Sequence, residues 1–175
     1  LKAAARLPSE DSVVLERLAS GEKRALKVAV PMLSRIANFD DLDPLKAECG
    51  VEVVFVPPGM SLPPDAGLVV IPGSKSTIGD LIRFRENGWD RDLAAHRLRG
   101  GRVVGICGGY QMLGRAVRDP EGLEGGVREA DGLGLLDVET VMEPQKTVRN
   151  VSARSVAFGV PLEGYEIHLG RTTGP

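Results

Sequence analysis

The chain has 175 residues, 42% hydrophobic and 26% charged, with a formal net charge of −2, which suits one domain with a sizeable core. Its basic residues form no stripe, so the electrostatic footprint of a nucleic-acid binder is missing, and no apolar run reaches the length of a membrane span or of a signal-peptide core. Two distant cysteines make neither a disulfide framework nor a metal cluster; the expectation is a cytoplasmic domain that binds no metal and no cofactor of its own.

Residues 1–25 are polar and show no strand pattern, so they are expected to form a linker, with the domain proper over 26–175. Lys23, Arg24 and Lys27 are the densest basic group and read as a solvated face. Four short, β-branched apolar runs follow along the chain: Lys27 to Leu33, Val51 to Val56, Gly67 to Ile71 and Arg102 to Ile106. Such continuous runs suit strands buried on both faces, the habit of parallel sheets. Segments of helical spacing separate them. Asp40 to Cys49 is short and stops at Gly50, with Cys49 read as a small buried hydrophobe. Thr77 to Leu98 is longer, broken at Asn87-Gly88, with Trp89 anchoring it. A helix over Tyr110 to Val117 is expected after the fourth run. Alternation of this kind predicts an open, doubly wound, mostly parallel α/β sheet of flavodoxin-like, three-layer form. After Asp119, Leu135 to Met142 and Lys146 to Val156 alternate like antiparallel strands, and Tyr165 to Leu169 reads as a last short strand.

Gly105-Ile106-Cys107-Gly108-Gly109-Tyr110-Gln111 stands directly behind the apolar Val103-Val104. It reads as a strand that stops at a cysteine, with a helix starting behind. A cysteine on so sharp a turn is lifted clear of the sheet, near the positive end of the next helix, where thiolate is favoured. This is the geometry of a nucleophile elbow with sulfur in place of oxygen. The loop Pro72-Gly73-Ser74 falls at the carboxyl end of a neighbouring strand, where ligands bind in open α/β sheets. Lys75 in Gly73-Ser74-Lys75-Ser76-Thr77 invites a phosphate-loop reading, but Ser74 stands where that motif needs glycine; Lys75 is expected to be exposed.

Gly105, Cys107, Gly109 and Gln111 fill every fixed position of Gly-x-Cys-x-Gly-x-Gln, and the chain thereby resembles the class I glutamine amidotransferases. The string GICGGYQMLG, the segment Ser34 to Leu45, IPGSKST (Ile71 to Thr77) and GYEIHLGRT (Gly164 to Thr172) are similar to the cobyric acid synthase branch of that family. The resemblance implies that Cys107 is the nucleophile on L-glutamine. It adds that the backbone N–H groups of Gly108 and Gly73 form the oxyanion hole and that Gln111 touches the substrate. It also implies a preceding synthetase domain, using ATP and magnesium, that activates carboxylates of a corrinoid acceptor, adenosylcobyrinic acid a,c-diamide. Residues 1–25 would then be the exit from that domain.

A thiol nucleophile usually works with an imidazole base, and the chain has two histidines. His96, near a helix end, reads as a surface residue. Glu166 and His168 share one side of a strand, as a base with its orienting carboxylate or as a wall of the site. The resemblance implies a base in a later Leu-His-Gly segment, beyond residue 175, and hence a C-terminally truncated domain. Competing readings are a sister amidotransferase such as cobyrinic acid a,c-diamide synthase, and a cysteine-elbow binding module without catalysis.

Overall fold

The computed structural model describes residues 26–175; the expected linker over residues 1–25 lies outside the described residues. The four apolar runs form one parallel sheet from β1 (Leu26–Pro31), β2 (Val51–Val56), β3 (Leu68–Ile71) and β4 (Arg102–Gly105), in the order β2-β1-β3-β4. Leu26 lies opposite Val51, and Leu68 opposite Arg102. Alternation along each strand sends side chains to both faces. On one face Val28, Val30 and Val70 pack with Leu42, from a 3₁₀ turn (Asp40–Leu42) that leads into α1 (Asp43–Lys46). On the other, Ala29, Val69 and Ile71 join Ile78, Leu81 and Phe84 of α2 (Thr77–Glu86) and Leu93 of α3 (Trp89–Leu98). Each fully buried aliphatic side chain contributes about 1.5–3 kcal/mol, so burial on both faces explains the unbroken runs of the central strands β1 and β3. At the edges β2 is half-buried and Val104 of β4 is exposed, contrary to the expected burial on both faces. This is the expected doubly wound α/β architecture, with helices on either side of a parallel sheet.

Gly88 takes φ 74°, which lets α2 stop and α3 restart at Trp89. The indole packs edge-on to Phe84 and donates from Nε1 to the Met60 carbonyl at 2.7 Å, so Trp89 does anchor this helical pair. Two expectations need correction. Cys49 is exposed, because α1 is a single turn that ends before it and has no face to bury it. The helix expected over Tyr110 to Val117 is only α4 (Gly108–Met112), because Ala116–Arg118 is drawn off as β5. β5 is hydrogen-bonded on both sides, antiparallel to β6 (Glu129–Asp131) and parallel to β7 (Glu139–Val141), a pairing that outweighs local helical spacing.

A hairpin follows, in which β8 (Thr147–Arg154) runs antiparallel to β9 (Pro161–His168) with Thr147 opposite His168. β10 (Arg171–Thr173) then pairs antiparallel with β7 and completes a second sheet, of order β10-β7-β5-β6. Among the described residues no helix is long and apolar enough to cross a membrane.

Candidate active site

β4 ends at Gly105, and Cys107 turns the chain into α4 with φ 50° and ψ −110°. It is the one non-glycine residue with positive φ among the described residues. Such backbone costs roughly 1–3 kcal/mol and persists only where the surroundings over-determine it. They do so here. Ile106 N–H donates to the Ile71 carbonyl at 3.0 Å, and Gly109 N–H donates back to the Ile106 carbonyl at 2.8 Å. Gly109 is pressed so closely on β3 that a Cβ there would lie 2.1 Å from the Ile71 oxygen. The elbow therefore holds the Cys107 thiol outward, and the residue is exposed. With five residues, α4 is a shorter helix than expected, so the dipole at its N-terminus is small.

The structure brings the two expected oxyanion glycines to this cysteine. A Cβ built on Gly73 would stand 3.7 Å from the Cys107 Cβ, and one built on Gly108 would stand 2.9 Å from the Ser74 nitrogen. The Gly73 carbonyl is turned away, accepting from Ala37 N–H at 2.8 Å. Among the described residues, neither Gly73 N–H nor Gly108 N–H donates to any acceptor. Two unspent donors beside an exposed thiol are an arrangement that could receive a developing oxyanion.

Gln111 also lies at this site, though in a different posture from the one expected. It is buried, its Nε2 donates to the Leu169 carbonyl at 3.1 Å, and its Oε1 lies 3.4 Å from Thr77 Oγ1. It braces the elbow against the end of the β8–β9 hairpin while lining a cavity of about 580 Å³ that opens on Cys107. Glu166 and His168 line the same cavity. His168 Nε2 is 2.7 Å from Glu166 Oε1 and its Nδ1 is 2.8 Å from the Gly170 carbonyl. Both ring nitrogens are thus taken up by neighbours within the wall of the cavity, and neither is hydrogen-bonded to Cys107. In this geometry His168 is a wall of the site. His96 is buried, not on the surface as expected, with Nε2 2.9 Å from the Arg102 carbonyl, at the opposite end of β4 from Cys107. Lys75 is exposed, as expected.

Residues 27–175 match the family described as the CobB/CobQ-like glutamine amidotransferase domain. The chain belongs to that family. This CobB/CobQ-like domain is 86% identical over its full length to the cobyric acid synthase of Mesorhizobium japonicum and 71% identical to that of Brucella suis. It spans 36% of the length of each of those relatives. Among solved structures, PurLQS from Thermotoga maritima aligns at a TM-score of 0.62 and 19% identity, over 86% of this chain and 70% of that one. A glutamine amidotransferase aligns at 0.55 and 18%, over 81% and 70%. At such identities the likeness concerns the fold.

Several cavity residues of the CobB/CobQ-like domain escape sequence reasoning. Tyr110, Glu143, Thr147, Arg171 and Thr172 all line it. Arg171 and Thr172 close the GYEIHLGRT string, so a signal for those two was present; Glu143 and Thr147 reach the site only through the pairing of β7 with β10 and of β8 with β9.

Carboxylates around the domain are tuned downward. The hydrogen bond from His168, and then that from Arg149 at 2.6 Å, hold Glu166 below its ordinary value. Arg118 does the same to Glu139. Burial pushes Asp119 up, but the backbone N–H groups of Glu124, Leu123 and Gly122 outweigh it, and the net direction is down. A folded-state pKa below the unfolded one means that the unfolded chain binds more protons. The stabilisation is therefore complete above the unfolded values near 4 and is lost as pH falls through the folded ones. Urea midpoints are expected to stay level from pH 7 to about 5 and then drop, with a shallower acid drop in Asp119→Asn; equal acid slopes in the two proteins would contradict this.

Proposed function

We propose that this domain hydrolyses glutamine at Cys107 and supplies ammonia to an ATP-dependent synthetase domain of the same protein. The observation that carries the reading is the strained Cys107 backbone, held at the mouth of a cavity between two unspent N–H donors. Sγ attacks the side-chain amide carbon of glutamine, and the negative charge collects on the former carbonyl oxygen, facing Gly73 and Gly108. Collapse breaks the C–N bond, the nitrogen leaves as ammonia after taking up a proton, and a γ-glutamyl thioester remains. Water then attacks the thioester, releasing glutamate and returning the thiol. Losing one oxyanion donor typically costs about 3 kcal/mol of transition-state stabilisation. The proton acceptor for the thiol is assigned to the part of the protein outside the described residues, because His96 and His168 are both engaged elsewhere.

Free glutamine carries an α-carboxylate and an α-ammonium group. Arg171 is the one guanidinium among the described residues lining the cavity, and its Nε is already paired with Glu143 at 2.9 Å. Its terminal nitrogens are left for a carboxylate, and Glu143 lies beside them for the ammonium. The relatives' name, cobyric acid synthase, supports a corrinoid acid as the acceptor. The ammonia would then amidate peripheral carboxylates of adenosylcobyrinic acid a,c-diamide, activated by ATP with magnesium on the synthetase domain. A thiol nucleophile suits the reducing cytoplasm, where we place it.

The test is covalent labelling by diazo-oxo-norleucine, a glutamine analogue. Both cysteines are exposed, so Cys49 serves as an internal reference. Saturable labelling of Cys107 well ahead of Cys49 is expected, and in Arg171→Ala the half-saturating concentration rises about 10- to 100-fold with little change in the maximal rate. Equal labelling of the two cysteines would favour a binding module over an amidotransferase.

A further inference from the structure

We infer that Asp80 is a positioning residue for the glutaminase step, holding the loop that presents Gly73 to the oxyanion; this rests on the role proposed for Cys107. Asp80 lies in the first turn of α2 and is fully buried. A buried carboxylate is costly unless donors surround it, and here every donor comes from outside its own helix. Oδ1 accepts from Ser34 N–H at 2.9 Å and from Ser34 Oγ–H at 2.5 Å. Oδ2 accepts from Ser74 Oγ–H at 2.6 Å and, more weakly, from Arg35 N–H at 3.3 Å. Ser34 and Arg35 belong to the loop after β1, Ser74 to the loop after β3. β1 and β3 are neighbours at the point where the strand order reverses, which is where open α/β sheets form their crevice.

The carboxylate thus joins two crevice loops from beneath. Above it the same loops are joined by Ala37 N–H to the Gly73 carbonyl at 2.8 Å and by Lys75 N–H to the Arg35 carbonyl at 2.9 Å, with Ile36 bridged to Ser74. Ser74 Oγ also accepts from Ser76 N–H at 2.9 Å. Gly73 is therefore held from its C-terminal side: its carbonyl is spent on the β1 loop, and the next residue is pinned through its hydroxyl to Asp80. Fixing the Gly73–Ser74 peptide fixes the position of the Gly73 Cα and so restricts where the preceding Pro72–Gly73 peptide, which carries the Gly73 N–H, can lie beside Cys107. Asp80 touches no reacting atom in this scheme; it sets the direction of one that does.

The experiment uses the full-length protein and Asp80→Asn, which keeps the side chain's shape but places an amide donor against groups that need acceptors. The kcat for glutamine hydrolysis is expected to fall about 30- to 100-fold, with KM within about threefold of wild type. Alkylation of Cys107 by iodoacetamide displaces iodide with sulfur and builds no oxyanion, so its rate is expected to match wild type. A wild-type kcat overturns the inference, as does a parallel loss of alkylation, which would mark general collapse of the elbow. If Asp80→Asn does not fold, Ser74→Ala removes only the loop end of the clamp; a kcat about tenfold lower with KM and alkylation unchanged supports the inference, and a wild-type kcat overturns it. Wild-type protein that releases no ammonia from glutamine would remove the functional reading itself, an outcome distinct from an active but Asp80-insensitive enzyme.

Discussion

Replacing Cys107 with alanine is expected to lower glutamine-dependent ammonia release by about 10⁴-fold or more, because the nucleophile acts as part of a unit whose remaining members do little without it. On the proposed coupling to a synthetase domain, synthesis by the full-length protein fed with free ammonia should survive. A second substitution at the same position separates chemistry from backbone strain. Alanine keeps a Cβ and so keeps the cost of φ 50°, whereas Cys107→Gly removes it. After subtracting the extra freedom that glycine gives the unfolded chain, the gain is about 1 kcal/mol, or about 2–4 °C in melting temperature for a domain of this size. The expected pattern is two equally inactive proteins, the glycine form melting higher. Residual turnover in either would move the nucleophile elsewhere; an unstabilised glycine form would mean that the elbow carries no strain.

Gly109→Ala is expected to destabilise the domain by about 3 kcal/mol or more. The added methyl would meet the Ile71 oxygen at 2.1 Å and the Ile71 carbon and Pro72 oxygen at 2.8 Å. These are backbone atoms, unable to swing aside as a flexible side chain would. Ile71 also accepts the Ile106 hydrogen bond that seats the elbow, so relief of the clash and preservation of the site exclude each other. Gly164→Ala is the matched control: it sits in β9, and an added Cβ meets nothing within 4 Å. It should be neutral or slightly stabilising. Urea denaturation of the two variants beside wild type checks both, and a Gly109→Ala midpoint near that of Gly164→Ala would refute the close packing of elbow on strand.

What could be read from residue order is what local physics controls. The parallel strands announced themselves as short, β-branched apolar runs, fully so for the central β1 and β3, and observed boundaries such as Val51–Val56 follow them closely. The sharp turn at Cys107 was legible because a strand that stops at a cysteine between glycines can hardly fold otherwise, whereas Gly73 and Gly108 stand out through the family resemblance. The pairing of Glu166 with His168 followed from the two-residue period of a strand. What stayed hidden depends on how turns and distant strands close in space. The residue order places Gly170 two positions from His168 but does not say that the turn brings its carbonyl back onto the imidazole. Nothing near His96 reveals the Arg102 carbonyl that draws it inward. Arg115 to Arg118 has helical surroundings, and only the two strands flanking β5 decide its conformation. Asp80 reads as an ordinary first-turn acid until the loops after β1 and β3 are seen closing over it.

The β8–β9 hairpin has a bearing on how such domains can vary in length. Its cavity end is tied down, by Gln111 on the Leu169 carbonyl and by the hydroxyls of Thr140 and Thr172, 2.8 Å apart. Its other end is an exposed turn around Ser155 to Val160, closed only on itself. Because side chains alternate, losing one residue near Leu169 would carry Glu166 and His168 to the opposite face, whereas residues added or removed in pairs at the tip would leave every cavity contact in place. Insertions and deletions among natural variants should therefore gather at that turn, and a tag or a fused segment placed there would leave the chemistry of Cys107 undisturbed.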